Sequence, residues 1–406
     1  MRFVKARNQG LHVFMGVIGG EARPRRRRRH STRRGGAQLM TPSVLTELTA
    51  AGVSLWLDDL SRARLAGDLQ RLVRERAISG VTTNPTIFEK AIAGGSDDYA
   101  AQVHELRASG ADIDAAIRTL TTDDVRSACD ILAPVFASTG GRDGRVSIEV
   151  DPRLAHNTEA TIEQARDLWT LVDRPNAMIK IPATTAGLPA ITSTLAAGIS
   201  VNVTLIFSID RYREVMAAHT AGIRHARDAG LDVAAIESVA SFFVSRVDTA
   251  VDARLENSSS PRAESLRGRA AIANAHLAWH AYQIHTASDA WRQLAAAGAR
   301  PQRPLWASTG VKNPDYDPAR YVVKLAAPGC VNTVPESTLE AVVAEGQFAG
   351  DTVTGRQEAA QSVLDDIAEE GIDFREICAE LEAAGEAAFV SSWESLRTTV
   401  GRALQQ

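Results

Sequence analysis

A closed parallel (β/α)8 barrel with extra C-terminal helices is the fold that the sequence predicts, and three observations predict it. Short β-prone runs recur eight times between residues 53 and 333. A longer stretch with helical spacing follows each run. Several runs end in polar residues that core packing does not require, and barrels carry their catalytic groups at strand C-terminal ends.

Taken in order, the runs are residues 53–58 (VSLWLD), 80–84 (GVTTN), 145–150 (RVSIEV), 177–181 (AMIKI), 199–204 (ISVNVT), 238–243 (SVASFF), 304–307 (PLWA) and 329–333 (GCVNT). Between them, residues 157–172 repeat Ile162, Ala165, Leu168, Trp169 and Val172 at helical spacing, and residues 271–297 read as one further helix. An open doubly wound sheet is the rival topology, but neither G-x-G-x-x-G nor G-x-x-x-x-G-K-[ST] follows the first run. Residues 257–267 (NSSSPRAESLR) read as a surface loop, and residues 341–406, rich in Ala and Glu, as two or three helices packed outside the core. Residues 40–406 are expected to form a single domain.

Composition narrows the function classes. The 406 residues carry a formal charge of -4, yet residues 1–39 hold eleven Lys or Arg against the single acid Glu21, which leaves the remainder near -14. A body this acidic is a poor phosphodiester binder, so no nucleic-acid partner is expected outside the arginine run. Apolar residues 11–18 precede Arg25 to Arg29, the reverse of a secretory signal, and residues 1–39 are expected to be a disordered basic leader upstream of a start at Met40. No apolar run reaches the roughly 20 residues of a membrane helix. Three widely spaced cysteines, Cys129, Cys330 and Cys378, support neither disulfides nor a zinc cluster, which points to the reducing cytosol. The i, i+4 pair His276 and His280 reads as a helix face, so no metal is expected.

Forty arginines stand against five lysines, Lys5, Lys90, Lys180, Lys312 and Lys324. Lys180 lies inside the apolar run MIKIP, where arginine could not replace an amine that forms an imine. Desolvation there would lower its pKa from ~10.4 towards ~7–8, at a cost on the order of 4 kcal/mol, and make it a nucleophile for carbonyls. The alternative is a structural lysine neutralised by a carboxylate such as Glu149. The two-residue period of residues 146–151 puts Ser147, Glu149 and Asp151 on one face, expected to point into the barrel. Asp58 and Asp59 end the first run, Thr82 and Asn84 the second, and Ser200, Asn202 and Thr204 alternate along the fifth. Imine chemistry needs a proton shuttle and a second acid/base, which two carboxylates and a hydroxyl-bound water supply. Arg246, Ser241 and the loop from Ser308 to Lys312 are the candidates for an anion site.

These residues carry a resemblance. GVTTNPT at 80–86, SIEVD at 147–151, MIKIP at 178–182, NVTLIFS at 202–208, SFFVSR at 241–246 and ASTGVKNP at 307–314 occur in the order seen in transaldolases, and the chain resembles their longer single-domain bacterial form over about residues 40–400. The resemblance implies a cytoplasmic transferase of the pentose phosphate pathway, with sugar phosphates as partners. It would pass a dihydroxyacetone unit from sedoheptulose 7-phosphate to glyceraldehyde 3-phosphate, giving erythrose 4-phosphate and fructose 6-phosphate. Lys180 would form the Schiff base and Asp58, with Asp59 the alternative, would serve carbon–carbon cleavage. Glu149 and Thr204 would hold the water that shuttles protons. Asn84 and Asn202 would bind hydroxyls; Ser241, Arg246 and Ser308 would bind phosphate, with Lys312 replacing an arginine that the family places closer to the serine. The resemblance implies no cofactor. An aldolase with the same lysine chemistry and a nucleic-acid binder acting through the leader are the rival functions, and the oligomeric state, a homodimer included, is left open.

Overall fold

Eight runs of apolar residues become eight parallel strands: β1 (Ser54–Leu57), β2 (Ile78–Val81), β3 (Arg145–Glu149), β4 (Ala177–Pro182), β5 (Val201–Ile206), β6 (Ser238–Phe243), β7 (Arg303–Ala307) and β8 (Val331–Val334). In the computed structural model, which describes residues 43–94 and 96–405, each strand pairs with its neighbours in chain order and β8 closes on β1. The chain thus forms the expected (β/α)8 barrel rather than an open sheet. The leader expected at residues 1–39 lies outside the described residues. No helix among the described residues is long and apolar enough to cross a membrane.

Strands buried on both faces explain the near-continuous apolar runs: β4, β5, β6 and β7 are buried at every position. Gly80 has a steric reason, because a Cβ there would sit 2.6 Å from the Trp56 ring that fills the barrel interior. The N-terminal end of the barrel is closed by a buried polar cluster. Asp143 accepts from Ser54 Oγ at 2.7 Å and from Trp56 Nε1 at 3.1 Å, and pairs with Arg303 at 3.0 Å. The charges of Asp143 and Arg303 face each other and each has further partners, the condition for keeping charge in a core, with Arg303 Nε alone of its nitrogens left unpaired among the described residues.

Three readings of the sequence change. Residues 271–297 form two helices, Ala270–Thr286 and Asp289–Ala296, because the Ser288 hydroxyl accepts the Trp291 N–H and starts a new helix. Residues 257–267 are not all loop: Ser260 caps the short helix Pro261–Leu266, with proline at its first position. Asp151 does not continue the inward face of β3, since the chain turns there and its carboxylate caps Pro152–Leu154 and pairs with Arg153 at 2.6 Å.

The terminal helix Phe374–Ala403 lies against the helix Pro85–Gly94, β5 and the helix Ser245–Leu255. Gly385 permits that approach: a Cβ there would stand 3.0 Å from Leu205 and 3.7 Å from Arg246. This helix therefore covers the C-terminal end of the barrel rather than its flank.

Candidate active site

Parallel register places Glu149 beside Lys180, and Lys180 beside Asn202, on β3, β4 and β5. Lys180 is only 4% exposed. Its Nζ lies 3.2 Å from Glu149 Oε2 and donates to the Thr83 carbonyl at 3.1 Å. The Phe389 ring, brought over by the terminal helix, has its centroid 5.6 Å from the same nitrogen. Burial pushes the Glu149 carboxyl up from 4.5 to about 7, with the Lys180 ammonium opposing that rise. A carboxyl near neutrality both gives and takes a proton under physiological conditions.

A cavity of about 90 Å3 opens at this end of the barrel, lined by Asp58, Thr82, Asn84, Lys180, Thr204, Ser241, Phe243, Arg246 and Ser308, with Thr333 and Phe389 completing the wall. The geometry separates the two adjacent aspartates. Asp58 lines the cavity, whereas Asp59 is held 2.8 Å from Arg64 Nε in a cluster with Asp68 and Glu336. Burial raises the Asp58 pKa, while Lys180 lowers it and Asp59 adds to the rise. Thr204 is fully buried and its hydroxyl has no hydrogen-bond partner among the described residues. The next residue, Leu205, has φ of +61°, and the β5–β6 register slips between Val203 and Ile206. Such a bulge re-aims side chains, and strained backbone of this kind collects at functional sites.

On the opposite wall the groups suit an anion. Arg246 sits in the first turn of the helix Ser245–Leu255, whose N-terminus carries no side-chain cap, and it forms no ion pair among the described residues. Burial lowers its pKa, and its guanidinium lies over the Phe243 ring at 5.5 Å. Ser308 adopts φ of +56°; its carbonyl accepts the Ser245 N–H at 3.0 Å and its hydroxyl stands 3.0 Å from that of Ser245.

Two of the residues expected in the site, Asn202 and Lys312, are not among those that line the cavity. Asn202 is not on the cavity wall: its amide donates to Ser147 Oγ at 3.0 Å and accepts from Ser241 Oγ at 2.7 Å. Lys312 is exposed and absent from the lining. Asn84 reaches the cavity while its Oδ1 caps the following helix through the Ile87 N–H at 3.0 Å. Sequence reasoning missed Phe389 and Thr333. Thr333 closes the eighth run and was visible as a strand-end hydroxyl; nothing local marks Phe389.

The barrel agrees with what similar chains are. Residues 55–400 match the family model described as Transaldolase/Fructose-6-phosphate aldolase. A transaldolase of Mycobacterium bovis strain BCG Pasteur is 59% identical over 354 residues, covering 87% of this chain and 95% of that protein. Those of Mycobacterium tuberculosis strain H37Rv and Mycolicibacterium smegmatis are 58% and 57% identical, with the same shares covered. With a match that runs from β1 to the terminal helix over the site, the chain belongs to the Transaldolase/Fructose-6-phosphate aldolase family.

Proposed function

We infer that this chain is a transaldolase, a Schiff-base transferase that moves a dihydroxyacetone unit from sedoheptulose 7-phosphate to glyceraldehyde 3-phosphate. The observation that carries the reading is the buried Lys180 amine 3.2 Å from a carboxyl held near neutrality, in a cavity also lined by Arg246, whose guanidinium forms no ion pair among the described residues.

In this reading the Lys180 amine attacks the donor's keto carbon, and the carbinolamine loses water as a proton comes from Glu149 through a water held by Glu149 and Thr204. The Thr204 hydroxyl and Glu149 Oε1, both without a hydrogen-bond partner among the described residues, are what such a water would satisfy. The protonated imine withdraws electrons from the bond that breaks, and Asp58 takes the proton of the departing hydroxyl. The three-carbon unit stays on Lys180 until an acceptor aldehyde takes it up, with Asp58 returning the proton. Arg246, Ser308 and Ser241 hold the phosphate, and Asn84 a hydroxyl of the bound unit. Asn202 acts one step back, fixing Ser241.

Borohydride reduction with fructose 6-phosphate, followed by peptide mass mapping, tests the reading. The expected result is one adduct, on Lys180; an adduct on another lysine overturns it. Sustained release of free dihydroxyacetone from donor alone would make the enzyme an aldolase instead.

A further inference from the structure

Glu149 borders a second cavity. It has a volume of about 220 Å3 and is lined by Glu149 with Thr121, Gln164, Leu168 and Trp393, while Asn84 borders both spaces. The cavity around Lys180 is the smaller of the two, and a sugar phosphate bound there occupies it. The larger one has room for several waters. Two of the residues that line it carry a buried polar atom with no hydrogen-bond partner among the described residues: Glu149 Oε1, which accepts, since Oε2 pairs with Lys180, and the indole Nε1 of Trp393, which donates. An unpaired acceptor and an unpaired donor on residues that border one space of this size are what a chain of waters would satisfy.

We propose that this second cavity is the solvent route of the imine step, through which the water released at Lys180 leaves and Glu149 exchanges its proton. The inference rests on Lys180 being the Schiff-base residue. The amine adds to the ketone to give a carbinolamine. The carbon–oxygen bond then breaks as Glu149 gives its proton to the hydroxyl, leaving a protonated imine, a carboxylate and one water. Substrate blocks the mouth at that moment, whereas Glu149 borders the larger cavity. Leu168, on the helix Thr158–Val172, and Trp393, on the terminal helix, line this cavity and not the one that Lys180 lines.

The test uses the full chain, fructose 6-phosphate and water enriched in oxygen-18, with mass spectrometry following enzyme-dependent entry of label at the keto carbon. Leu168→Trp fills the cavity and is expected to slow label entry about tenfold, with KM little changed. Trp393→Phe removes the unpaired indole donor without adding bulk, and is expected to slow entry less. It serves as the decisive variant should Leu168→Trp lose its cooperative thermal transition. Label entry at the wild-type rate in the folded variants overturns the route. Borohydride trapping on the same samples separates the two ideas: an adduct on Lys180 with unchanged label entry sinks the route alone, and an adduct elsewhere sinks the site.

Discussion

Among single residues, Glu149 carries the sharpest consequences. Burial lifts its carboxyl from 4.5 to about 7, so between those values the native state binds more protons than the unfolded chain, and stability falls as pH rises through that window. Glu149→Gln cannot titrate. Relative to wild type its melting temperature should therefore gain as pH rises from 4.5 to about 7, and a constant offset would show that Glu149 does not titrate there. The same variant should form the imine about 10²–10⁴-fold more slowly in borohydride-quench experiments, with phosphate affinity retained. Arg246→Ala should act the other way. Losing charged hydrogen bonds of about 1.5–3 kcal/mol should raise KM about 10- to 100-fold with kcat much less affected, and an unchanged KM would remove Arg246 from the phosphate site. The sequence marked Lys180, Glu149 and Arg246 because each is chemically out of place in an apolar run or at a strand end. It could not choose between Asp58 and Asp59, which are equivalent until Arg64, five residues beyond Asp59, claims one of them.

Among elements, the terminal helix is the one whose role the sequence left open. Its apolar and small residues announce a helix but not what it covers. Gly385 is the point of closest approach, and Gly385→Leu would drive a side chain against Leu205, Phe207 and Arg246. Overpacking of this kind costs about 1–3 kcal/mol. The expected outcome is a lower melting temperature together with lower kcat/KM, because the displaced residues adjoin Thr204 and the anion wall. A variant with wild-type values for both would mean that the helix does not seat on the barrel. The misread elements have the same origin as this gap. One serine hydroxyl at residue 288 splits a continuous helical pattern, and the turn at Asp151 follows from Pro152 and the pairing with Arg153 rather than from strand periodicity.

For the whole molecule, the barrel separates stability at one end from chemistry at the other. Arg303, Asp143, Ser54 and Trp56 close the N-terminal end, away from the cavity around Lys180. Arg303→Met strands Asp143 as a buried charge without its cation, at a cost of about 3–5 kcal/mol. Its melting temperature should fall while borohydride still labels Lys180 at temperatures where the variant is folded; loss of labelling in folded protein would show that the two ends are coupled. Adding Asp143→Leu should restore much of the stability, since two matched apolar groups leave no charge uncompensated. The sequence alone determined the eight strands, their order and the lysine on the fourth, because buried parallel strands and strand-end polarity are local patterns in one dimension. Only the tertiary structure decided which aspartate faces the cavity, that Asn202 supports Ser241, that Lys312 stays in solvent and that Phe389 lies over Lys180. Those outcomes depend on contacts between residues far apart in the chain, as with the 209 positions that separate Lys180 from Phe389, and no local spacing encodes them.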